Sequence, residues 1–391
     1  MIARTGPLGK QGEGPAVFDP EKLPKLRERI RAQTQADAAL LAEIRADVAS
    51  LAGAVRTIQP RDTTSVSLVA SDGGNNKVEF NPFYLQLVRV VDSYGEELFL
   101  DVVSPATDIT ELSARHLSQG QARSALGRLM ADLGVSTLAE LSPMLPPRPR
   151  SPSWTLVYRD LCEWATLYDL ICYQRFTTDT LIVRDGLLRS KIFASDLFIR
   201  MYRRMVDAID RIYRNRRREV FLVGLAKHSQ VLRQYAVAMA VANTFPAGNP
   251  CYVAVPRELQ QKVYVWEEYI RSPDDGEAGE APKFNIGEMY FVRFGGRPGD
   301  PVWTADLLAC QQDKAQKIFG CLLADAIPGF PVPFYPMCLQ QADHHAQIVD
   351  FDLDILQDTL VDAVREQIEP DRQAAFDALR LATDVTSRRY G

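Results

Sequence analysis

The sequence is poor in the features that hold disulfide-rich and zinc-binding proteins together. Its six cysteines stand singly, with no Cys-x-x-Cys pair and no regular spacing, which argues against a disulfide framework or a paired-cysteine metal site. Unpaired cysteines fit a reducing cytoplasm best. They are Cys162, Cys172, Cys251, Cys310, Cys321 and Cys338.

Long apolar runs are also missing. No stretch reaches the ~18 apolar residues that a membrane helix needs. The first 20 residues, MIARTGPLGKQGEGPAVFDP, contain no apolar segment of a signal peptide. We therefore expect a cytoplasmic protein that is neither exported nor embedded in a membrane.

Several common enzyme signatures are absent as well. There is no Gly-x-x-x-x-Gly-Lys-Ser/Thr loop, so we do not expect the chain to supply its own ATPase. Neither Gly-x-Ser-x-Gly nor His-Glu-x-x-His occurs, which removes the common hydrolase and zinc-protease interpretations. The sequence contains no internal repeat of the kind that would indicate a solenoid.

Positive charge is not in excess, since 45 Lys and Arg stand against 50 Asp and Glu, a formal net charge of −5. Bulk charge therefore does not favour a protein that coats nucleic acid, because phosphate neutralisation supplies most non-specific affinity. A local basic patch remains a candidate DNA-binding surface, or alternatively a solvated helix face. It contains the predicted DNA contacts Arg203, Arg204, Arg214 and Arg217, together with Arg211, Arg216 and Arg218.

The length and composition predict one elaborated domain. A chain of 391 residues that is 46% hydrophobic can bury one large core with insertions. Residues 1–60 are predicted to form an N-terminal extension and a helical arm, the helix covering 21–57. The core is predicted over 61–391, with insertions at about 105–153 and 245–285.

The element order predicts an α/β fold. Three extended runs at 64–71, 83–95 and 96–105, with a turn around Gly95, predict an antiparallel meander. Helices then alternate with strands, an order typical of a ribonuclease H-like core on a mixed sheet. We predict helices at 120–133, 154–173, 194–217, 229–242, 308–324 and from 338, strands at 180–185, 219–225 and 289–294, and loops at 142–153 and 272–282.

Two predicted strands end in the same dipeptide. Asp72 follows SLVAS and precedes Gly73, and Asp185 follows LIVR and precedes Gly186. An ordinary Asp-Gly turn explains either one alone. Two carboxylates at adjacent strand ends would instead repel and raise each other's pKa, so a divalent cation is their natural partner. Oxygen ligands favour Mg²⁺ or Mn²⁺ over Zn²⁺.

A third acid could come from the helix that leads into the second of these strands. Glu163 has the apolar neighbours Cys162 and Trp164, although the residues alone favour its belonging to a solvated stripe on that helix. Asp160 and Asp169 are the competing acids on the same helix.

Lys227 and a cluster near the end of the chain complete the candidates. Lys227 follows the strand EVFLVGL, where its charge could meet a phosphate or simply be solvated; the adjacent His228 need have no role. In the segment FYPMCLQQADHHAQI, one of Asp343, His344 and His345 could complete a metal shell or assist proton transfer. The pattern does not say which one.

Six segments, in this order, resemble the NurA nuclease family. They span about residues 64 to 350 and are SLVASDGG, LCEWATLYDLI, LIVRDGLL, FLVGLAKHSQVL, MYFVRF and FYPMCLQQADHHAQI. The resemblance implies a site formed by Asp72, Glu163, Asp185, Lys227 and the 343–344 region. The family often has Ala-His where this chain has Ala342-Asp343-His344. Asp343 is preferred as the ligand because Ala342 anchors the alignment, with His344 as the second choice.

The resemblance also implies a function. Family members are Mn²⁺-dependent (or Mg²⁺-dependent) DNA nucleases, with 5′ to 3′ exonuclease and single-strand endonuclease activity. They act as homodimers on a HerA-type hexameric ATPase that translocates DNA, in end resection or phage defence. We expect residues 1–57 to contribute to docking on that translocase. The Ala-Asp departure leaves a DNA-binding adaptor subunit as an alternative, and an RNA-directed ribonuclease H-like enzyme as another.

Overall fold

A mixed sheet of ten strands organises the described part of the chain. The computed structural model describes residues 22–61, 64–70, 77–80, 82–147, 153–264, 284–348 and 350–378. The strands are β1 Arg56–Thr57, β2 Thr64–Ala70, β3 Lys77–Phe80, β4 Phe83–Asp92, β5 Glu97–Val103, β6 Leu117–Ser118, β7 Gln121–Ala122, β8 Thr180–Asp185, β9 Arg189–Ser190, β10 Val220–Ala226, β11 Cys251–Ala254, β12 Phe284–Asn285, β13 Gly287–Arg293 and β14 Val302–Leu308.

The helices cover both faces of this sheet. They are α1 Leu23–Ala36, α2 Ala38–Ala52, α3 Ile109–His116, α4 Ala125–Leu133, α5 Leu138–Leu141, α6 Trp154–Tyr173, α7 Leu197–Arg216, α8 Gln230–Val241, α9 Arg257–Val263, α10 Ala315–Ala326, α11 Met337–Ala346 and α12 Asp350–Glu366. A short 3₁₀ helix, Ala309–Lys314, precedes α10. None of the described helices is long and apolar enough to span a membrane.

The strand order of the large sheet is β1-β11-β13-β14-β10-β8-β2-β4-β3, and β5 pairs with the other edge of β4. The predicted meander is confirmed, because β2, β4 and β5 are consecutive antiparallel neighbours apart from the short hairpin strand β3. Gly95 makes the turn between β4 and β5 with a φ of +84°, a conformation that glycine adopts without strain.

The predicted alternation of helices and strands is confirmed too. β8 runs parallel to both β2 and β10, and α6, α7 and α8 begin and end within three residues of the predicted bounds. A mixed α/β fold is therefore established. The prediction missed β11 and β14, which pair antiparallel within the sheet. The sequence of β14 contains a charged residue, Asp306, and a charge within an apolar run does not indicate a buried strand.

Alternation of side chains along the strands separates two cores. In β8, Ile182 packs with residues of α6 and α7, whereas Leu181 and Val183 pack with residues of α10 and α11. Successive side chains of a strand point to opposite faces. The sheet therefore carries α6 and α7 on one face, and α10 and α11 on the other.

The predicted N-terminal helix is two helices that meet at Asp37. α2 belongs to the core, because Val48 and Leu51 are buried against Val231 and Tyr235 of α8. β1 follows directly and pairs with β11. Of these two helices, α1 is the one that has no buried residue and extends as an arm.

Candidate active site

The side chain of Lys227 links the carboxyl ends of the parallel strands β8 and β10 to the helix α11. Leu225 of β10 lies opposite Asp185 of β8 in the sheet, so Lys227 emerges at the carboxyl edge where β8 ends. Its Nζ donates a hydrogen bond of 3.1 Å to Oδ2 of Asp185. The same ammonium also forms an ion pair with Asp343 of α11. One cation thus bridges two carboxylates.

α11 presents Asp343 because its inner face is apolar. Leu339 and Ala342 are fully buried in the core beneath the sheet, which leaves the next residue, Asp343, at the border of the helix. His344 is exposed, and its ring lies 5.7 Å from that of His345. The His345 ring lies close against Gly95, where a Cβ would approach it to 3.3 Å. The structure therefore brings Asp343, not either histidine, to Lys227.

The three charged side chains remain open to solvent. Lys227 is 38% exposed, Asp185 27% and Asp343 32%. Partial burial by itself lowers the pKa of Lys227, but the neighbouring carboxylates of Asp185 and Asp343 outweigh it and raise the pKa above its usual value. The cluster therefore places two carboxyl groups and one ammonium where a ligand can reach them.

Tyr335 forms the floor of this cluster. Its side chain is buried, and the ammonium of Lys227 lies 5.6 Å from the centre of its ring. The hydroxyl has no hydrogen-bond partner of standard geometry in the described part of the chain. Burial, together with the carboxylates of Asp185 and Asp343, raises the pKa of this phenol, so it stays protonated beside the two acids.

Glu163 lies on the other face of the sheet. Arg184 and Asp185 are consecutive residues of β8, so their side chains point in opposite directions. The guanidinium of Arg184 lies 4.4 Å from the centre of the Trp164 ring, and its Nε is 3.4 Å from Oε1 of Glu163. Asp185 instead faces α11. Of the acids predicted from the sequence, Glu163 therefore lies on one face of the sheet and Asp185 on the other, near the same edge.

The Glu163 carboxylate is poorly satisfied. Its Oε1 is buried and has no hydrogen-bond partner among the described residues. Burial raises the pKa of Glu163 to about 7, an effect that Arg184 partly opposes and that the charges of Asp160 and Asp185 reinforce. The influence of Asp185 shows that the two groups are within electrostatic reach of each other. This oxygen lies 3.4 Å from Nε of Arg184 but accepts no hydrogen bond, so a further electropositive partner would satisfy it.

The competing acids of α6 have other partners. Asp160 accepts a hydrogen bond of 3.0 Å from Nη2 of Arg184, so it shares that arginine with Glu163. Asp169 forms an ion pair with Arg128 of α4, on a cleft away from Lys227. Asp160 thus shares the partner Arg184 with Glu163, and Asp169 does not.

Asp72 lies outside the described residues. β2 ends at Ala70, and Leu68 lies opposite Arg184 of the parallel strand β8. The described part of β2 thus ends at the same edge of the sheet as Asp185, two residues before Asp72 in the sequence.

The described residues do not by themselves complete a metal site. Within them, no group of three or more His, Cys, Asp or Glu side chains lies close enough together to hold an ion. The available donors are nevertheless carboxylate oxygens, the ligands that Mg²⁺ and Mn²⁺ prefer. Together with an oxygen of Glu163 that accepts no hydrogen bond among the described residues, this chemistry fits a hard divalent cation.

Three of the predicted DNA-binding arginines lie on α7, and Arg217 caps its carboxyl end; all four are exposed. The helix ends at Arg216, four residues before the amino end of β10, whereas Lys227 follows the carboxyl end of that strand. The structure therefore places Arg214 and Arg217 at the opposite edge of the sheet from Lys227. Arg203 and Arg204 lie near the middle of α7, and Arg204 is 4.0 Å from Asp132. None of these arginines joins the carboxylate cluster.

Sequence reasoning overlooked Arg184 and gave Tyr335 no role. Arg184 is a charged residue inside an apolar strand and is 8% exposed. A buried arginine needs acidic partners, so its position could have pointed to Asp160 and Glu163. Tyr335 carries no comparable signal, because buried tyrosines are common in cores.

Comparison with known proteins adds similarities of structure. No protein-family profile matches the chain, and comparison with curated proteins finds no match. Among solved structures, the NurA nuclease from Sulfolobus solfataricus is 12% identical with a TM-score of 0.45, covering 90% of this chain and 99% of that chain. A second structure, described as NurA, is 11% identical with a TM-score of 0.36, covering 91% and 100%. Because both TM-scores are below 0.5, these similarities carry no conclusion about activity.

Proposed function

We propose that this chain is a divalent-metal-dependent DNA nuclease that hydrolyses phosphodiester bonds at the carboxyl edge of β8 and β10. One observation carries the proposal: the ammonium of Lys227 bridges Asp185 and Asp343 in a solvent-accessible cluster. Two carboxylates and one lysine at strand ends suit a cation and a phosphate together.

Asp185, Asp343, Glu163 and Asp72 are the residues that would hold Mn²⁺ or Mg²⁺. Such ions activate a water for attack and stabilise the leaving 3′ oxygen of the cleaved bond. For all four acids to bind the same pair of metal ions, side chains from the two faces of the sheet would have to converge beyond the carboxyl end of β8. Asp72 is included because β2 ends beside β8.

The protein side chains have separate tasks in this scheme. Lys227 would leave its carboxylates for the scissile phosphate and offset the charge that develops there. Glu163, with a pKa of about 7, would accept a proton from the attacking water near neutral pH if it is not a ligand. Tyr335 would donate a hydrogen bond from its otherwise unpaired hydroxyl to Asp185 or to the phosphate.

The finer assignments rest on the order of the sequence segments and are part of the same proposal. They are a ribonuclease H-like core, 5′ to 3′ exonuclease and single-strand endonuclease activity, a homodimer, and action with a HerA-type hexameric ATPase in the cytoplasm, in end resection or phage defence. The meander followed by parallel strands supports the ribonuclease H-like assignment. A translocase that grips DNA would also account for the net charge of −5.

A nuclease assay tests the proposal directly. Purified wild-type protein is incubated with single-stranded and duplex DNA, with Mn²⁺ or with EDTA, and with or without the translocase. We expect cleavage that requires the metal, and its loss in Asp185→Asn. Asp207→Asn, an exposed acid on α7, is the matched control.

Two outcomes would contradict the proposal, the first in its site and the second in its activity. One is full activity of Asp185→Asn, which would remove that residue from the site. The other is the absence of cleavage under every condition, combined with calorimetry that detects no Mn²⁺ binding to wild type. That second result would favour the adaptor interpretation.

A further inference from the structure

The carboxyl end of α7 is a concentrated basic surface in a chain of net negative charge. Residues 211–218 contain five arginines and no acid, and all five arginines are exposed. They lie at the amino edge of β10, whereas Lys227 follows the carboxyl end of that strand. β10 has seven residues, which span roughly 20 Å. The basic surface is therefore separate from the carboxylate cluster.

Neighbouring acids do not cancel this charge. Glu219, which follows the arginines, forms ion pairs with Lys314 and Lys317, and Nζ of Lys317 also lies 3.8 Å from Asp179. Arg61 is within electrostatic reach of the same group. The described charges around the end of α7 are the cations Arg61, Arg175, Arg211, Arg214, Arg216, Arg217, Arg218, Lys314 and Lys317 and the acids Asp179, Asp210, Glu219 and Asp313. Positive charge is therefore in clear excess.

An exposed aromatic ring lies among these cations. The side chain of Tyr213 is 46% exposed. The guanidinium carbon of Arg217 lies 5.6 Å from the centre of its ring, and Nζ of Lys314 lies 5.7 Å from that centre. Nucleic-acid bases stack on exposed aromatic rings and on guanidinium planes, and cations beside them bind the phosphates. The end of α7 therefore offers both kinds of contact that a nucleotide needs.

The backbone turns Arg217 back towards this ring. Arg217 is the C-cap of α7 and has a φ of +55°, in the left-handed region that glycine usually fills at a helix end. Its amide donates a hydrogen bond of 2.9 Å to the carbonyl of Tyr213. A residue with a side chain is uncommon in this conformation. Glycine would fit the turn better but could not supply the contact between the guanidinium and the Tyr213 ring.

Stabilisation of the helix explains only part of this surface. Arg214 and Arg216 lie in the last turn of α7, where positive charge interacts favourably with the helix dipole. That effect does not require an exposed ring with a guanidinium against it. An acidic protein would satisfy the arginines alone, but only a nucleic acid supplies both phosphates and bases. The ring therefore decides between these two kinds of partner.

We propose that the end of α7 holds single-stranded DNA, with a base stacked on the pair formed by Tyr213 and Arg217 and with neighbouring phosphates bound by the surrounding arginines. The proposal rests on the proposed function for its substrate and adds a second contact with it. Because roughly 20 Å of β10 separates this surface from Lys227, a chain that reaches both is an oligonucleotide. A single strand is favoured over a duplex, since stacking on the protein requires unpaired bases.

Substitutions of the ring test the stacking. Binding of a labelled oligothymidylate to the full chain is measured by fluorescence anisotropy in EDTA, so that no metal-dependent cleavage takes place. We expect Tyr213→Ala to raise the dissociation constant about tenfold or more and to remove the preference for a single strand over a duplex. Tyr213→Phe keeps the ring and should bind as the wild type does. An unchanged affinity of Tyr213→Ala would overturn the proposal.

The salt dependence of binding tests the arginines separately. For single strands, the logarithm of the binding constant falls with the logarithm of the salt concentration with a slope of about −0.7 for each phosphate contact. Arg214→Gln and Arg217→Gln should each reduce this slope by about 0.7, whereas Tyr213→Ala should leave it unchanged. Arg372→Gln, an exposed arginine beyond α12, is the matched control. Wild-type slopes in both arginine variants, or an equal reduction in the control, would contradict the phosphate contacts.

Photochemical cross-linking gives a readout on the wild-type chain alone. An oligonucleotide that contains 5-iododeoxyuridine is irradiated with the protein in EDTA, and the linked peptide is identified by mass spectrometry. We expect the peptide that contains Tyr213, and its absence from the products would overturn the proposal. Equal displacement of the oligonucleotide by polyglutamate, or tighter binding of oligouridylate, would instead assign the surface to an acidic protein or to RNA.

These measurements separate the surface from the proposed nuclease, because none of them requires cleavage. Binding and cross-linking at Tyr213 by a chain that never cleaves DNA would reject the nuclease and retain the surface. Metal-dependent cleavage by a chain whose affinity for the single strand is the same in Tyr213→Ala and wild type would do the reverse.

Discussion

Nζ of Lys227 lies 3.1 Å from Oδ2 of Asp185, although 42 residues separate them in the chain. They meet because β8 and β10 are parallel and in register, with Leu225 opposite Asp185. The rigid backbone of a buried sheet thus fixes the distance between the two groups, and Asp343 is added by α11 packed beneath. Substitutions at these partly exposed positions should therefore change chemistry more than folding.

Lys227→Met should lower the rate of cleavage by about 100-fold or more, because it removes the charge proposed to stabilise the phosphate in the transition state. It should also tighten Mn²⁺ binding, since the ammonium no longer competes for Asp185 and Asp343. Initial cleavage rates and isothermal titration calorimetry measure the two effects. Lys191→Met, an exposed lysine, is the control, and weaker metal binding in Lys227→Met would contradict the competition.

Asp343→Asn and His344→Ala distinguish the two candidates for the last site position. Asp343 contacts Lys227, whereas His344 is exposed. We expect Asp343→Asn to lower cleavage by about 100-fold, the order seen when one electrostatic group of a site is lost, and His344→Ala to leave it near wild type. Rates at saturating Mn²⁺ test both. The opposite ranking would assign the position to His344.

Glu163→Gln should flatten the pH dependence of stability in EDTA. Burial raises the pKa of Glu163 to about 7. Between its ordinary pKa and that value, the folded protein holds a proton that the unfolded chain releases, so the free energy of unfolding falls as the pH rises. The Glu163→Gln variant should not show this fall in the free energy of unfolding, which amounts to at most about 3 kcal/mol. Urea unfolding at about pH 5 and about pH 8 measures it.

The control for that measurement is Glu258→Gln, at an exposed position of α9. Its unfolding free energy should follow the wild type at both pH values. A Glu163→Gln variant with the same pH dependence as wild type would show that the carboxyl is already ionised at the lower pH.

Asp306→Asn should destabilise the fold by about 3 kcal/mol or more, because it leaves the buried Arg189 without a counter-charge. Asp306 is fully buried, and its carboxylate accepts hydrogen bonds from Nε of Arg189 at 2.9 Å and from the amide of Leu188 at 3.1 Å. Chemical unfolding measures the change, with the exposed Asp313→Asn as control. Adding Arg189→Met should recover part of the loss, and equal stability of Asp306→Asn and wild type would contradict the role of the pair.

The helices and strands of the central region were predictable because their apolar patterns are local. α6 begins at Trp154 and ends at Tyr173, and β8 covers Thr180–Asp185, as their composition and length indicate. β14 was not predictable in this way. Its central acid, Asp306, is neutralised by Arg189 from 117 residues earlier, and no local pattern records that partner.

The sequence by itself determined that Asp185 and Lys227 follow strands, because apolar runs end there. It also determined the order of α6, β8, α7, β10 and α8 and the lack of a membrane segment among the predicted helices. Only the tertiary structure decided that the ammonium of Lys227 bridges Asp185 and Asp343, since that depends on strand register and on how α11 packs. It also decided that Glu163 faces Arg184 across the sheet from Asp185, because strand geometry turns consecutive side chains to opposite faces.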